Sequence, residues 1–379
     1  KLLRKKEKVQ NRGCLIMKMK RNNILLLPGD GVGPEIMSEA IKLIDYFNEA
    51  KLLNINYDYS DIGGVALDNY GIPFPKTTLE KASKSDCILL GAVGTKKHEN
   101  NERELKPEYG LLELRKKLNF FANIRPIFLF ESLINSSTLK PEIIRDLDVL
   151  IVRELISDVY FGEPRGFNTE SDDIFAFNTM KYTESEITRI AEFAFSVASK
   201  RSKKLTSVDK ANVLETSQLW RKTVDKVGQQ HTGIKINHMY IDNAAMQLIK
   251  EPKQFDVILT GNLFGDILSD EASMLTGSIG MLPSASISID NKCLCEPVHG
   301  SAPDIAGQGI VNPIAMILSF AMMLEYSFDK KDLSKIIRTS ISNILKNGIM
   351  TKDLSTTGDY VSTSQLGDKI LEEVKSNVN

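Results

Sequence analysis

Two aspartates four residues apart form the clearest candidate for a metal site in this sequence. Asp266 and Asp270 follow a short apolar run and lie in a segment that is typical of a helix start. At this spacing both carboxylates project from one helical face, where like charges are destabilising unless a partner neutralises them. Mg²⁺ or Mn²⁺ would do so, since both prefer oxygen ligands. Such a pair is more often a solvated surface, but here glycines bring the backbone close and Asp242 ends another apolar run.

Three arginines lie directly against apolar sequence, where a charge present only for solubility is not expected. Arg115, Arg125 and Arg153 each follow an aliphatic residue. Convergent guanidinium groups bind carboxylates through paired hydrogen bonds, so the three residues indicate a di- or tricarboxylate ligand. Three unrelated structural ion pairs are the alternative, because the sequence does not show whether the side chains converge.

Two further side chains have the chemistry to move protons. Lys210 follows an apolar run, and Tyr160 lies just after Val159. A desolvated lysine beside a metal is a competent base, and a tyrosine can deliver a proton. Neither residue is remarkable alone, so the hypothesis depends on the groups around them.

Two loops rich in small residues could approach a nucleotide. The first, at 29–35, resembles a dinucleotide-binding G-x-G-x-x-G turn, but Pro34 and Ile36 occupy positions where that pattern requires glycine. We therefore interpret it as a tight turn before a helix. The second, at 296–307, contains Gly, Ser and Ala residues that let a backbone approach a flat or phosphorylated ligand. An acid in that loop could bond a ribose 2′-hydroxyl and would repel a 2′-phosphate.

Short candidate strands alternate with polar loops and helical patterns from residue 22 onward. They lie at 24–27, 87–90, 149–152, 205–208, 239–241 and 257–259. Most of them are continuous apolar runs, which at this length are typical of parallel strands covered on both faces. The pattern predicts an α/β fold with a large, mostly parallel sheet and flanking helices, with the candidate residues just after the strands, where such sheets bind ligands. Residues 160–180 lack a helical period and are predicted to form a hairpin arm.

The composition argues against a disordered chain, a membrane protein and a disulfide scaffold. The chain has 379 residues, of which 42% are hydrophobic and 26% are charged. The longest apolar stretch, at 314–324, is about half the roughly 20 residues that span a bilayer. Four scattered cysteines indicate a reducing compartment, which we expect to be cytoplasmic.

The net charge of −1 conceals a basic beginning. Residues 1–21 contain nine Lys or Arg and one acid, so the rest of the chain carries a charge of −9. A basic arm could bind nucleic acid or direct the chain to an organelle. We interpret residues 1–21 as a disordered arm or as upstream sequence, because an acidic body is a poor partner for nucleic acid. Neither a nucleic acid nor a membrane is expected as a partner.

Six ordered motifs together resemble those of the β-decarboxylating dehydrogenases, which include 3-isopropylmalate, isocitrate, homoisocitrate and tartrate dehydrogenases. The motifs are LPGDGVGPE (27–35), IVRE (151–154), YFGE (160–163), VDKAN (208–212), TGNLFGDILSDE (260–271) and HGSAPD (299–304). The resemblance runs from about residue 24 to about residue 365. Within the family, EYGLLELR at 108–115 resembles the isopropylmalate branch. Isocitrate enzymes have a Ser and an Asn in this stretch, whereas Leu111 and Leu112 could pack an isopropyl group.

The resemblance implies an isopropylmalate/isocitrate dehydrogenase-like fold with two lobes rather than a standard Rossmann fold. Residues 22–120 and 277–379 would form a first, cofactor-side domain, and residues 121–276 a second domain that makes a homodimer. The arm near 160–180 would belong to the second domain. Lys210 and Asp242 would reach across the homodimer, so that the two active sites are shared.

The same resemblance implies a role for each candidate residue. Lys210 would be the base at the substrate hydroxyl, and Tyr160 would protonate the enolate after CO₂ leaves. Six residues would contact the substrate: Arg115, Arg125, Arg153, Asp242, Leu111 and Leu112. Asp242, Asp266 and Asp270 would bind Mg²⁺ or Mn²⁺. Ten residues would hold NAD: Gly94, Glu108, His299, Gly300, Ser301, Ala302, Pro303, Asp304, Ile305 and Asn312.

The activity implied by this resemblance is NAD-dependent oxidative decarboxylation of 3-isopropylmalate, a step of leucine biosynthesis. Tartrate, D-malate or homoisocitrate stays open as an alternative substrate. A non-catalytic regulatory subunit is an alternative of a different class. Such a subunit should have lost metal-binding or proton-transfer residues, and this chain retains Asp242, Asp266, Asp270, Lys210 and Tyr160.

Overall fold

The structure is a computed structural model that describes residues 22–170 and 173–378. The basic arm predicted at residues 1–21 lies outside the described residues. Secondary structure begins at Asn23, immediately after that segment.

Ten of the twelve strands in the described chain form one large sheet. The strands are β1 (Asn23–Gly29), β2 (Asn56–Tyr59), β3 (Cys87–Ala92), β4 (Phe120–Phe128), β5 (Asp148–Glu154), β6 (Gly166–Glu170), β7 (Asp173–Phe177), β8 (Lys204–Asp209), β9 (Lys235–Tyr240), β10 (Val257–Thr260), β11 (Pro283–Ser288) and β12 (Cys293–Pro297). Their order across the large sheet is β2-β1-β3-β12-β11-β4-β5-β10-β8-β9. The sheet is open, with β2 and β9 at its edges.

Six of the nine neighbouring strand pairs in this sheet are parallel, which confirms the predicted α/β class and mostly parallel sheet. The three antiparallel pairs, β12–β11, β11–β4 and β4–β5, lie next to one another in the middle of the sheet. Five of the six predicted strands lie within an observed strand, and the one predicted at 239–241 overlaps the end of β9.

Helices cover the sheet and connect its strands. The described residues form α1 (Gly33–Glu49), α2 (Gly64–Tyr70), α3 (Lys76–Lys84), α4 (Pro107–Lys117), α5 (Pro141–Ile144), α6 (Glu184–Ser199), α7 (Glu215–Gly228), α8 (Ile241–Lys250), α9 (Asn262–Ser273), α10 (Ile314–Tyr326), α11 (Lys331–Lys346) and α12 (Thr363–Val378). The local sequence determines where two of these helices begin. Pro34 lies in the first turn of α1, where a backbone N–H has no acceptor within the helix, so the missing N–H of proline costs no hydrogen bond. Thr183 and Glu186 form a capping box that begins α6.

The longest apolar stretch of the sequence forms a central core helix. Every residue from Ile314 to Leu324 in α10 is buried, and the helix packs against β11, β12, α1 and α11. A helix that is apolar on all sides needs such surroundings. Among the described residues, no helix is long and apolar enough to cross a membrane.

The buried apolar side chains of the described residues form four clusters along the sheet. Two of them draw mainly on the beginning and end of the chain, and the other two on residues 121–282. This distribution is compatible with the predicted domains, 22–120 plus 277–379 and 121–276. The division stays a prediction, because the sheet continues across the proposed boundary between β11 and β4.

The strands β6 and β7 form a separate two-stranded antiparallel sheet within the region 160–180. Large apolar side chains are exposed on this hairpin, with Phe167 83% and Ile174 72% accessible. An isolated hairpin is marginally stable in water, and exposed apolar surface marks interaction sites. The exposed apolar side chains of this hairpin therefore indicate a surface that binds a partner.

Candidate active site

The sheet order brings four of the candidate side chains to one place. Arg125 lies on β4 and Arg153 lies near the end of β5, which is the next strand in the sheet. The following strand, β10, leads after one residue into α9, which contains Asp266 and Asp270. A short 3-10 turn, Asp158–Tyr160, follows β5. Side chains from the neighbouring strands β4 and β5, from the turn after β5 and from α9 thus meet at one site, which we call the cleft.

Asp266 is the hydrogen-bonding centre of this cleft. Arg153 donates from Nη1 to its Oδ1, and the Tyr160 hydroxyl donates to its Oδ2 at 2.6 Å. Arg125 Nη2 lies 3.6 Å from Asp266 Oδ1, and Arg125 Nη1 lies 3.5 Å from Asp270 Oδ1. The structure therefore brings together five residues that the sequence singled out separately.

The three candidate arginines are all buried, with 7% or less of each residue exposed. Burial and the neighbouring charge of Arg153 lower the pKa of Arg125 to about 10. Burial also lowers the pKa of Arg153, and the charge of Arg115 contributes to the lowering in both cases. Guanidinium groups close enough to repel one another in this way form a site that a bound carboxylate would stabilise.

Arg115 reaches the cleft from α4 and is held by a buried acid. Its Nη2 donates to Glu296 Oε1 at 2.7 Å, at the end of β12. Its Nε is buried and has no hydrogen-bond partner in the described part of the chain. A buried donor left unsatisfied costs about 1–3 kcal/mol. A ligand carboxylate would satisfy this Nε.

The two aspartates of α9 have opposite pKa shifts. Burial alone would raise the pKa of Asp266, but Arg153, Arg125 and the Tyr160 hydrogen bond hold it below its ordinary value. Burial raises the pKa of Asp270, and Arg125 only partly offsets this. Burial and the hydrogen bond to Asp266 raise the pKa of Tyr160 to about 12, so the phenol stays protonated at neutral pH. The cleft thus holds an ionised carboxylate beside a proton donor.

Lys210 and Asp242 form a second, separate group. Lys210 follows β8, Asp242 lies in the first turn of α8, and Lys210 Nζ is 2.9 Å from Asp242 Oδ1. Asp242 does not join Asp266 and Asp270, since residues 22–170 and 173–378 contain no cluster of three or more His, Cys, Asp or Glu that could hold a metal ion. Within one chain, the predicted metal ligands are therefore incomplete.

The helix α4 places the two candidate leucines between the other candidate groups. Glu108, Leu111, Leu112 and Arg115 lie three or four residues apart in Pro107–Lys117, so they share one side of the helix. Both leucines are half-buried. Leu111 also packs against the core cluster that contains Leu114.

Three of the candidate cofactor residues meet at the first turn of α4. A Cβ atom at Gly94 would lie 2.9 Å from Glu108 Oε1 and 3.3 Å from Ser301 Oγ. Gly94 also has a φ of +129°, which favours glycine. Its N–H donates to the buried Asp30 Oδ2 at 2.8 Å. The close packing and the backbone conformation both exclude a larger residue at position 94.

The loop after Gly300 carries the remaining small candidate residues on the surface. Ala302 has a φ of +39°, Gly300 and Pro303 flank it in the sequence, and Ile305 packs partly against the core. Asp304 is exposed and forms a 2.5 Å ion pair with Lys96, a contact that the sequence did not predict.

His299 and Asn312 differ in whether all their side-chain polar atoms already have hydrogen-bond partners. His299 Nδ1 lies 2.9 Å from the Gly300 carbonyl oxygen, while its buried Nε2 has no partner in the described part of the chain. Burial lowers the pKa of His299. Asn312 donates to Asp353 at 3.0 Å and accepts from the Ile314 N–H at 2.9 Å, which fixes the start of α10. His299 thus has a free nitrogen for a ligand, whereas the Asn312 amide already supports the fold.

Asn262 and Tyr182 support the cleft, and the sequence did not identify either as a site residue. Asn262 Oδ1 accepts from Arg153 Nε and Nη2 at 3.0 and 2.7 Å. Tyr182 accepts from the Asn262 N–H at 2.8 Å and donates to Asp158 Oδ2 at 3.2 Å. Tyr182 therefore links the start of α9 to the turn that carries Tyr160. Asn262 lies inside a recognised motif, but nothing in the sequence near Tyr182 signals its contacts.

Glu154 is a buried acid that follows Arg153 at the end of β5. It accepts from the Ile156 and Ser157 N–H groups at 3.2 and 3.0 Å. Burial nevertheless raises its pKa to about 7 from an ordinary 4.5. Desolvation thus outweighs the two backbone hydrogen bonds, and Glu154 titrates near neutral pH.

Glu154 should make the protein less stable as the pH rises from about 4.5 to about 7. In that window the unfolded chain releases the proton and the folded chain retains it, so unfolding is favoured by rising pH. We expect the stability advantage of wild type over Glu154→Gln to fall by about 2 kcal/mol between pH 5 and pH 7.5. Urea unfolding of both proteins at the two pH values measures this difference.

The control is Glu142→Gln, which changes an exposed acid in the first turn of α5. It should show the same pH dependence as wild type. A constant difference between wild type and Glu154→Gln across the pH range would contradict the assignment of the shift to Glu154.

Comparisons with known proteins address the family directly. A family model described as isocitrate/isopropylmalate dehydrogenase matches residues 23–370. A 3-isopropylmalate dehydrogenase of Neisseria gonorrhoeae is 54% identical over 351 residues, which cover 92% of this chain and 98% of the relative. One of Pseudomonas fluorescens is 52% identical over 355 residues, which cover 93% and 99%.

Solved structures agree with the fold. The crystal structure of isocitrate dehydrogenase from Methylococcus capsulatus matches with a TM-score of 0.83 and 33% identity, over 93% of this chain and 99% of that chain. A β-decarboxylating dehydrogenase from Thermococcus kodakarensis matches with a TM-score of 0.76 and 32% identity, over 94% and 97%. The resemblance inferred from the six motifs is confirmed, and the chain belongs to the isocitrate/isopropylmalate dehydrogenase family.

Proposed function

We propose that the protein is an NAD-dependent 3-isopropylmalate dehydrogenase of leucine biosynthesis. It would convert (2R,3S)-3-isopropylmalate into 2-oxo-4-methylpentanoate and CO₂. The observation that carries the proposal is the cleft in which three buried arginines meet two aspartates and a protonated tyrosine. Relatives at 52–54% identity that bear this enzyme name support the choice of substrate.

The arginines would bind and orient the two substrate carboxylates. Arg115, Arg125 and Arg153 are held by Glu296, Asn123 and Asn262 respectively, so they are positioned before the ligand binds. Positioning groups in advance reduces the entropy lost in the reaction. The side of α4 that carries Leu111 and Leu112 adjoins Arg115 and would receive the isopropyl group.

The donor set at α9 fits a hard divalent cation. Asp266 and Asp270 offer oxygen ligands on one helical face, and the arginines hold Asp266 in its ionised form. A bound Mg²⁺ or Mn²⁺ would polarise the substrate oxygen and stabilise the negative charge left by decarboxylation. Asp242 of the partner subunit would complete the ligands, since Asp242 of the same chain pairs with Lys210 instead.

Two side chains of this protein would move protons. Lys210 of the partner subunit would take the proton from the substrate hydroxyl. Tyr160 would give its proton to the carbon that loses CO₂, because its raised pKa keeps the phenol protonated and Asp266 fixes its direction.

The residues around Gly94 would hold a dinucleotide. Glu108 and Ser301 lie close to the Gly94 backbone, which carries no side chain, and the unpartnered His299 Nε2 offers a hydrogen bond. NAD would accept the hydride from the carbon that bears the hydroxyl. The loop 300–305 and Asn312 would hold the adenosine half, with Asp304 at the ribose.

A homodimer would cover the apolar surface that the single chain exposes. Met246 and Ile249 of α8, Ile267 of α9 and Met274 directly after α9 are each exposed, as are the aromatic side chains of the β6–β7 hairpin. Apolar patches of this kind mark protein interfaces. A cytoplasmic location, inferred from the scattered cysteines, stays a prediction.

The direct test is NADH formation by the purified protein with 3-isopropylmalate, Mg²⁺ and NAD. Turnover that is abolished by EDTA and restored by Mg²⁺ or Mn²⁺ supports the proposal. Absence of turnover from a folded dimer would instead support the regulatory-subunit alternative.

Nucleotide choice gives a separate prediction. We expect NAD to be preferred to NADP, because Asp304 would repel the 2′-phosphate of NADP. Asp304→Lys combined with Ile305→Tyr should lower the ratio of kcat/KM for NAD to kcat/KM for NADP by about tenfold or more, since it replaces a like charge with an opposite one. Steady-state kinetics with both nucleotides measure the ratio.

The contact with Lys96 supplies a control that should act in the opposite direction. Lys96→Met removes the ion-pair partner of Asp304 and should increase the preference for NAD. An unchanged ratio in the Asp304→Lys, Ile305→Tyr double variant would contradict the role given to this loop.

A further inference from the structure

The glycine-rich loop 28–35, which includes the end of β1 and the first turn of α1, has no role in the proposed reaction. Its sequence does not match the G-x-G-x-x-G nucleotide-binding pattern, and the loop contains none of the candidate site residues. Its contacts nevertheless lead to both sides of the proposed cofactor cleft. We infer that Glu35 is a positioning residue, which fixes the cofactor loop 300–309 by binding its backbone. The inference rests on the proposed function.

The loop 28–35 contacts the beginning of the cofactor loop through its backbone. The Val32 N–H donates to the Ser301 carbonyl oxygen at 2.9 Å. Gly31 has a φ of +56°, and a Cβ atom there would overlap the Ser301 carbonyl. The close approach therefore requires glycine at position 31 and fixes the position of Ser301.

Glu35 fixes the other end of the cofactor loop. Its Oε1 accepts a hydrogen bond from the Gly307 N–H, and its Oε2 accepts one from the Gly309 N–H at 3.1 Å. Gly307 and Gly309 have φ values of +76° and +65°. This backbone conformation directs two N–H groups toward one carboxylate, as in an anion-binding nest. The segment 302–306, which includes Asp304, is thus anchored on both sides.

Asp30 performs the equivalent function for the opposite side of the cleft. Its carboxylate accepts from the N–H groups of Gly64, Val65 and Gly94, each at 2.8 Å. Two carboxylates of one short loop therefore hold the backbone of Gly94 and of the cofactor loop in a fixed relation. Hydrogen bonds to ionised groups are about twice as strong as neutral ones, so these contacts hold both backbone segments firmly to the loop 28–35.

Glu35 is the residue that can be tested without damage to the core. Asp30 is buried, whereas Glu35 is only half-buried and its removal leaves no unpaired charge in the interior. Glu35→Gln keeps the shape of the side chain, but its amide nitrogen cannot accept a hydrogen bond. One of the two loop contacts is then lost. The cofactor loop must be ordered when the nucleotide binds, which weakens binding.

The kinetic expectation is a selective change in nucleotide affinity. Glu35→Gln should raise the KM for NAD by about tenfold, with kcat and the KM for 3-isopropylmalate within about twofold of wild type. Glu35→Asp, which keeps the charge but shortens the reach, should give an intermediate KM. Glu49→Gln is the matched control, since it changes an exposed acid at the end of the same helix and should leave all three constants unchanged.

Hydrogen exchange of the nucleotide-free protein provides a readout that is independent of activity. Amides of residues 302–309 should exchange about tenfold faster in Glu35→Gln than in wild type or Glu49→Gln, while β1 and α1 stay protected. Unchanged exchange in this loop overturns the inference whatever the kinetics show. Faster exchange with an unchanged KM for NAD overturns the cofactor role.

Failure of the proposed function has a different signature. A wild-type protein that reduces neither NAD nor NADP with 3-isopropylmalate refutes that function, and the exchange rates then decide alone whether Glu35 anchors the loop. If NADP proves to be the preferred nucleotide, the same tenfold rise is expected in the KM for NADP.

Discussion

3-Isopropylmalate is expected to exceed isocitrate in kcat/KM by about 10³-fold or more. The two molecules share the hydroxyl and two carboxylates, and they differ in whether C3 carries an isopropyl or a carboxymethyl group. Leu111 and Leu112 lie on the same side of α4 as Arg115, where they would bury the isopropyl group at a gain of about 0.8 kcal/mol per CH₂. A third carboxylate against the same leucines would be desolvated without a partner.

D-malate separates the two contributions, because it carries no substituent on C3. Its kcat/KM should lie between those of 3-isopropylmalate and isocitrate, since it gains no apolar contact and buries no extra charge. All three substrates are measured by NADH formation under the same conditions. Equal kcat/KM for 3-isopropylmalate and isocitrate would contradict the assignment to the isopropylmalate branch.

A leucine truncation tests whether α4 is responsible for the preference for 3-isopropylmalate. Leu112→Ala should lower kcat/KM for 3-isopropylmalate by about tenfold and affect D-malate less, because it removes apolar contacts that only the isopropyl group uses. Leu118→Ala is the matched control, since Leu118 is also half-buried and ends the same helix. Leu118→Ala should change kcat/KM for 3-isopropylmalate and for D-malate by the same factor.

The chemistry of the cleft could be predicted because charged residues beside apolar runs are unusual. Arg153 lies at the end of a predicted strand, and Asp266 lies in the helix that follows another, so their places beside the sheet follow from the sequence. Arg125 lies on β4, which pairs antiparallel with both of its neighbours. Such residues are buried only when they are paired or bind a ligand. The sequence therefore identified the types of residue, whereas the convergence of their side chains is visible only in the structure.

The middle of the sheet could not be predicted in the same way. The strand β11 has the sequence PSASIS, and its serines are buried rather than exposed. They are stabilised by contacts across the sheet, such as the hydrogen bond from Asn123 Nδ2 to Ser286 Oγ at 2.9 Å. A strand whose polar residues are satisfied by another strand lacks the apolar run that identifies its neighbours. Antiparallel pairing at β11 is consequently visible only in the structure.

The supporting contacts of the site were hidden for a similar reason. Glu296 holds Arg115 across 181 residues, and Tyr182 reaches Asn262 across 80. Each of these side chains is ordinary in its local sequence, and its function arises only from long-range packing. The pairing of Lys96 with Asp304 belongs to the same class.

Mixing two inactive variants should restore about a quarter of wild-type activity. In one chain, Lys210 pairs with Asp242, and Asp242 does not join Asp266 and Asp270 in a metal-binding cluster of the described residues, so the proposed site would require two chains. Lys210→Met removes the base, and Asp266→Asn removes a metal ligand, so neither homodimer should turn over appreciably. When the two proteins are unfolded and refolded together, about half of the dimers should be mixed by random association.

In each mixed dimer one site receives both defects and the other receives neither, which gives the recovery of about a quarter. Lys210→Met mixed with Asp242→Asn is the matched control. Both residues would serve the partner's site, so each site of that mixed dimer retains one defect and no activity should return. Native mass spectrometry establishes that mixed dimers have formed in both cases. If they form without recovery in the first mixture, all the reactive groups act within one chain, and the shared site is refuted.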